Sequence, residues 1–179
     1  SHLLDIVKAS AERVFVPLTV GGGVRSVDDF EGLLRSGADK VAVNTEATRK
    51  PELIQELARR FGSQSVVLSV EALQTSPGKW EAMTDNGRER SGRDVLEWVV
   101  EATARGAGEV LVTSIDREGT RSGFDVELMD AVANVVSTPV IASGGMGTVN
   151  DLVSVARSTD VTGIAMADVL HFGRFSVQD

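Results

Sequence analysis

The chain has 179 residues, 42% of them hydrophobic and 25% charged, which suffices for one buried core and is too short for two ordinary domains. A formal charge of −8 with no cluster of lysine and arginine argues against a nucleic-acid or membrane surface, because a phosphate backbone needs a basic stripe. Cysteine is absent, which removes disulfides, thiolate catalysis and zinc–thiolate sites, and no apolar run approaches the roughly eighteen residues of a membrane span. The expectation is a soluble, cytoplasmic protein that requires no metal or cofactor.

Leu3, Ile6, Val7, Ala11 and Val14 recur at helical spacing, predicting a helix over Leu3–Val14, and Phe15–Val20 reads as a buried strand. Three glycines, Gly21–Gly23, close that strand, and Ser26 caps the next helix with Asp28 and Asp29 in its first turn. Asp39–Asn44 is the second strand, and Pro51 opens a helix that runs to Gly62. Gln64–Glu71 is the third strand. Ala72–Gly92 then breaks the alternation, with KWEAMT in strand-like pattern and DNG as a turn signal, so a hairpin is expected before a helix over Arg93–Arg105. Glu109–Ile115 is a strand, DREGTRSG a polar loop, Asp125–Val136 a helix, Val140–Ser143 a strand, Thr148–Arg157 a helix and Val161–Ala165 the last strand.

Two stretches share one layout. PLTVGGGVR at Pro17–Arg25 and PVIASGGMG at Pro139–Gly147 align so that Gly22 and Gly23 match Gly144 and Gly145. Glycines at the end of a buried strand let the backbone approach a ligand closely, and a helix start just beyond favours an anion. A single such turn is equally well a tight strand-to-helix connection; two in matching positions point to one ligand with two phosphates, or to two anions at opposite rims of a symmetric mouth. The alternation of strands and helices with an internal duplication predicts a (β/α)8 TIM barrel of the duplicated half-barrel type. A complete barrel takes ~250 residues, so the first two strands are expected to be missing from this single domain, residues 1–179.

Barrel sites lie at the C-terminal ends of the strands. The candidates there are Gly22 and Gly23, Asn44 and Thr45, Glu71, Thr113 and Ser114, Asp116 and Glu118, Ser143, Gly144 and Gly145, and Ala167 with Asp168. Glu71 and Glu118 are expected to face each other across the mouth, a pairing suited to general acid and base work if their surroundings separate their pKa values. Solvated acids on loop ends are the plain alternative, more so for Glu118 than for Glu71, which ends a buried strand. Trp80, Trp98 and the lone His171 read as structural. No GxSxG elbow, Walker loop, GxGxxG or metal-spaced cluster occurs.

The phrases VFVPLTVGGGVRSVDD, GADKVAVNT, FGSQSVVLSV, GAGEVLVTSIDREGTRSGFD, PVIASGGMG and VLHFGRFSV together resemble the cyclase subunit of imidazole glycerol phosphate synthase, from about Leu3 to Gln178. The resemblance implies a lyase of histidine biosynthesis that takes ammonia from a glutaminase subunit, with which it pairs as a heterodimer. It closes the imidazole ring of a two-phosphate substrate, giving imidazole glycerol phosphate and an aminoimidazole carboxamide ribotide. It would give Gly22, Gly23, Asn44 and Thr45 to one phosphate and Gly144, Gly145 and the Ala167 region to the other. Asp39, Lys40 and Glu109 would form the partner-facing gate for ammonia, with Thr19 and Gln64 along the passage.

The family's catalytic pair is two aspartates. One belongs to a first strand outside this chain, and Glu71 stands at the place of the other. Glu118 likewise lengthens a loop aspartate, and Asp168 replaces a serine beside the second phosphate, where it would repel that phosphate unless it turns away to cap the helix that follows. Three readings result: a working cyclase using Glu71; an impaired barrel fragment or paralogue that binds phosphorylated ligands and self-associates through open edges; and an ammonia-using enzyme acting on another phosphorylated substrate.

Overall fold

The computed structural model describes residues 2–178. In chain order the elements are α1 (His2–Ala11), β1 (Thr19–Gly21), α2 (Val27–Arg35), β2 (Lys40–Val43), α3 (Thr45–Arg49), α4 (Glu52–Phe61), β3 (Val66–Ser76), β4 (Lys79–Thr84), β5 (Glu89–Asp94), α5 (Val95–Ala104), β6 (Glu109–Ser114), α6 (Val126–Val135), β7 (Val140–Ser143), α7 (Val149–Ser158), β8 (Gly163–Ile164) and α8 (Asp168–His171). The main sheet runs β1-β2-β3-β6-β7-β8, every neighbouring pair parallel. The β4–β5 hairpin adds to β3 in antiparallel fashion, off that path.

The strands alternate sharply in burial, and the reason is visible in their residues. Val41, Val43, Val110, Val112, Val140 and Ala142 are buried in one core with Phe30, Leu33, Ile54, Leu57, Trp98, Val99, Leu128, Met129 and Val155 from the helices. Their neighbours Lys40, Ala42, Glu109, Leu111, Thr113, Ile141 and Ser143 are only half-buried, on the opposite face. Valines thus dominate the helix side, while the interior face mixes charged and polar residues with Ala42, Leu111 and Ile141. This is the (β/α)8 TIM-barrel fold, of which the described residues supply six parallel strands. Among them β1 and β8 pair on one side only.

The elements differ from expectation chiefly at their ends. The first strand is Thr19–Gly21 rather than Phe15–Val20: Pro17 has no N–H to give a ladder, and Phe15 and Val16 stand 93% and 69% exposed. The first helix stops at Ala11, short of Val14. β5 takes Arg93 and Asp94 from the expected helix, and the Asp94 side chain then caps α5 by accepting from the N–H groups of Leu96 and Glu97. Thr45–Arg49 forms a short helix, α3, that the sequence reading left unassigned. Trp80 and Trp98 are buried packing residues, as expected. No helix among the described residues is long and apolar enough to cross a membrane.

Candidate functional site

The duplicated turns end in the same device. Ser26 Oγ accepts the Asp29 N–H at 3.1 Å while Asp29 accepts the Arg25 N–H at 3.0 Å. Thr148 Oγ1 accepts the Asp151 N–H at 3.4 Å while Asp151 accepts the Gly147 N–H at 3.1 Å. Each is a Ser/Thr-x-x-Asp cap, and each consumes helix-terminal amides that an anion would otherwise use. The amides left open to an anion near these helix starts are those of the glycine turns themselves. The cap bonds set the charge of both acids: the Arg25 N–H and the Ser26 hydroxyl lower the Asp29 carboxyl, and for Asp151 the burial that opposes ionisation is outweighed by the N–H groups of Thr148 and Gly147.

A cavity of about 1020 Å³ lies inside the curve of β1, β2, β3 and β6. Its floor is Thr19, Ala42, Ser69 and Leu111, and its mouth holds Gly22, Gly23, Asn44, Thr45 and Glu71. Thr19 pairs in register with Lys40, so the cavity runs from the N-terminal end of the strands to the C-terminal end. Glu71 is the acid at its top: Asn44 Nδ2 donates to Glu71 Oε2 at 3.1 Å. Burial pushes the Glu71 carboxyl above the usual glutamate range against the pull of the Gly87 N–H and the Asn44 amide, and the nearby Asp85 charge pushes the same way as burial.

A second, smaller hollow of about 130 Å³ is lined by Glu118, Gly119, Arg121, Ser143–Met146 and Ala165–Val169. The loop after β6 closes down on it. The Gly123 N–H donates to Gly145 O at 2.8 Å, and a Cβ on Gly145 would stand 2.2 Å from Gly123 O, so only glycine fits that approach.

Several expected positions are corrected by this geometry. Glu71 and Glu118 do not face each other across the mouth: β3 and β6 are adjacent strands, and the two acids fall in separate hollows, Glu118 exposed beside Gly144. Ser114 is fully buried on the helix side with its hydroxyl 3.3 Å from Asp125, out of reach of the mouth, because strand alternation gives that side to Ser114 and the interior to Thr113. Asp168 does not cap α8. Its carboxylate takes both ends of the Arg121 guanidinium, at 2.5 and 2.9 Å, with Arg174 at 3.7 Å, and Arg121 holds it below the usual aspartate range.

At the opposite rim Lys40 and Glu109 form a 2.5 Å ion pair, while Asp39 accepts the Leu18 N–H at 2.7 Å. Gln64 folds back toward Phe61 O at 3.4 Å and does not line the cavity; Thr19 does. Arg121, the partner of Asp168, and the Asp85–Gly87 turn above Glu71 are the residues that sequence reasoning left without a role.

Duplicated glycine turns at the C-terminal ends of parallel strands, with the half-buried Glu71 in the larger cavity, place the site where (β/α)8-barrel proteins carry theirs, and that is the class to which the fold belongs. The chain is a member of the histidine biosynthesis protein family, which it matches over residues 1–176. It is 64% identical over 147 residues to imidazole glycerol phosphate synthase subunit HisF of Legionella pneumophila, covering 82% of this chain and 69% of that protein. It is 50% identical over 175 residues to the HisF subunit of Gluconacetobacter diazotrophicus, covering 98% and 67%, and 47% identical over 176 residues to that of Streptococcus sanguinis, covering 98% and 70%.

Proposed function

We propose that the chain carries the cyclase chemistry of histidine biosynthesis, with Glu71 as acid or base. It would use ammonia from a glutaminase subunit to close the imidazole ring of a two-phosphate ribulosyl intermediate, in a lyase reaction that yields imidazole glycerol phosphate and an aminoimidazole carboxamide ribotide. One observation carries the reading: a single cavity holds the first glycine turn, Asn44, Thr45 and a half-buried carboxyl group whose proton is retained to higher pH. Gly22, Gly23, Asn44 and Thr45 bind one phosphate. Thr113, Ser143, Gly144, Gly145 and Ala167 line the approach of the other.

The same cavity supports the ammonia route, since its floor reaches Thr19, beside the Lys40–Glu109 pair at the far rim. A glutaminase docked at that rim would deliver ammonia into the interior past the Lys40–Glu109 ion pair, which is closed here and would have to part to admit it. The second reading, a barrel that has lost its reaction and keeps phosphate binding, is favoured by one feature, the Asp168–Arg121 clasp in the smaller hollow. On that reading the edges of β1 and β8, which pair on one side only among the described residues, would serve self-association, read as a mass that rises with concentration.

Incubating the chain with the two-phosphate intermediate and saturating ammonium, with products identified by mass spectrometry, separates these readings. Both named products are expected. Substrate binding without either product selects the second reading, and a different product selects an ammonia-using enzyme with another substrate.

A further inference from the structure

The β4–β5 hairpin leaves the barrel path and returns over the larger cavity. Its tip is Asp85-Asn86-Gly87, with φ of 51°, 56° and 76°. Aspartate and asparagine are the non-glycine residues that best tolerate that left-handed region, so the sequence is suited to hold this turn in one shape. The tip is also fastened. The Asp85 N–H donates to Thr45 Oγ1 at 3.1 Å, and Arg49 on α3 makes a 2.9 Å ion pair with Glu89 on β5. On the other side Gly87 rests on Ile115, just past β6, so closely that a Cβ would stand 3.1 Å from Ile115 Cδ1. At the hairpin's base, Asp116 accepts the Gln74 N–H at 2.8 Å.

Beneath this roof lies Glu71. β4 pairs with β3 so that Met83 stands opposite Glu71, two residues before the turn, Asp85, Asn86 and Glu89 line the same cavity as Glu71, Asn44 and Thr45, and Asp85 and the Gly87 backbone lie close enough to act on the Glu71 charge. Thr45 is affected as well. A hydroxyl whose oxygen accepts the Asp85 N–H keeps its own hydrogen for another acceptor, which makes it a ready donor to an anion.

We propose that the Asp85–Gly87 turn is a positioning element that fixes the Glu71 carboxyl group and the Thr45 hydroxyl at once, so that proton transfer and phosphate binding answer to one roof. The proposal rests on the cyclase reading given above. Asp85 does not touch the reacting atoms; it acts through Glu71 and Thr45.

Charged and polar groups face Glu71 from two elements: Asn44 at the end of β2, and Asp85 with the Gly87 N–H from the hairpin. Elsewhere on the wall stand Arg25 after β1, Glu46 and Arg49 on α3, and Glu89 on β5. Arg49 and Glu89 pair with each other, Glu46 pairs with Lys50 at 2.7 Å, and Arg25 acts on Asp29 and Glu46. Asp85 is therefore the charge whose removal reports on the roof.

The test is a carbon-13 NMR titration of the Glu71 carboxyl, assigned by its loss in Glu71→Gln, together with the pH profile of kcat under saturating ammonium. Asp85→Asn keeps the turn, since Asn86 adopts the same backbone, and removes the charge. The Glu71 midpoint is expected to move to lower pH, and the kcat profile to move with it, while the urea midpoint of unfolding stays in place. Thr45→Val removes the anchor; it is expected to raise KM by roughly tenfold and to displace the Glu71 midpoint, and Thr45→Ser is expected to restore both. A Glu71 midpoint unchanged in both Asp85→Asn and Thr45→Val overturns the proposal. Absence of turnover in the parent chain would count against the cyclase reading alone, because the titration still decides whether the roof acts on Glu71.

Discussion

The two glycine turns start from matching sequence and end in matching caps, yet their surroundings have diverged. Gly22 and Gly23 are exposed, and a Cβ on either would meet nothing within 4 Å. Gly144 and Gly145 are buried under the loop that follows β6, with Ser114 O and Gly123 O in contact range. The first turn is open toward a wide cavity; the second is closed over a hollow about an eighth of that size, 130 against 1020 Å³. Duplication preserved what the backbone needs to leave a strand and enter a helix. What stands above each turn depends on loops the duplication does not share: a fastened hairpin over Glu71, and a clasped loop beside Asp168.

The largest effect expected is a contrast in stability between the two halves. Gly145→Ala adds a clash with Gly123 O to the strain of a positive φ, and is expected to cost about 3 kcal/mol or more in urea unfolding. Gly22→Ala incurs the strain alone, about 1–2 kcal/mol. Equal losses would mean that the second turn is as open as the first.

Next in size is the clasp. Replacing Asp168 by serine removes a carboxylate from the second hollow and frees Arg121, so inorganic phosphate or the two-phosphate substrate should bind roughly tenfold more tightly. In the parent chain Arg121 lowers the Asp168 pKa, so the clasp persists below the pH at which an ordinary aspartate is neutralised and is lost only as pH falls through the depressed value. Isothermal titration of the two proteins at neutral and at acid pH checks both points; equal affinity at neutral pH would show that Asp168 does not guard the site.

The caps should answer alike, since they are the part that the halves still share. Ser26→Ala and Thr148→Ala are each expected to cost about 1 kcal/mol. The smallest effect concerns pH. Because the folded state holds the Glu71 proton more tightly than the unfolded chain does, Glu71 withdraws stability as pH rises from the ordinary value of 4.5 through its raised one. Glu71→Gln should match the parent below that window and unfold at higher urea above it.

Much of this is legible in the sequence alone. β-Branched runs closed by glycine marked the parallel strands, and the capping residues Ser26 and Thr148 marked helix starts, because these signals are local. Glu71 stood out as an acid ending a buried strand. Contacts between distant segments left no such mark. Arg121 meets Asp168 across 47 positions, and Asp85 meets Thr45 across 40, so neither the clasp nor the roof could be read from spacing. Ser114 and Glu118 depart from the sequence expectation for a related reason: which side of β6 a residue takes, and which strand lies next to it, are set by the sheet and not by the loop's composition.

The most direct test of the account is steady-state cyclisation of the two-phosphate intermediate at saturating ammonium, comparing the parent chain with Glu71→Gln. The account predicts that kcat falls by ~100-fold or more in the variant with little change in KM, as expected on losing a general acid or base. A Glu71→Gln protein that turns over at the parent rate would contradict it.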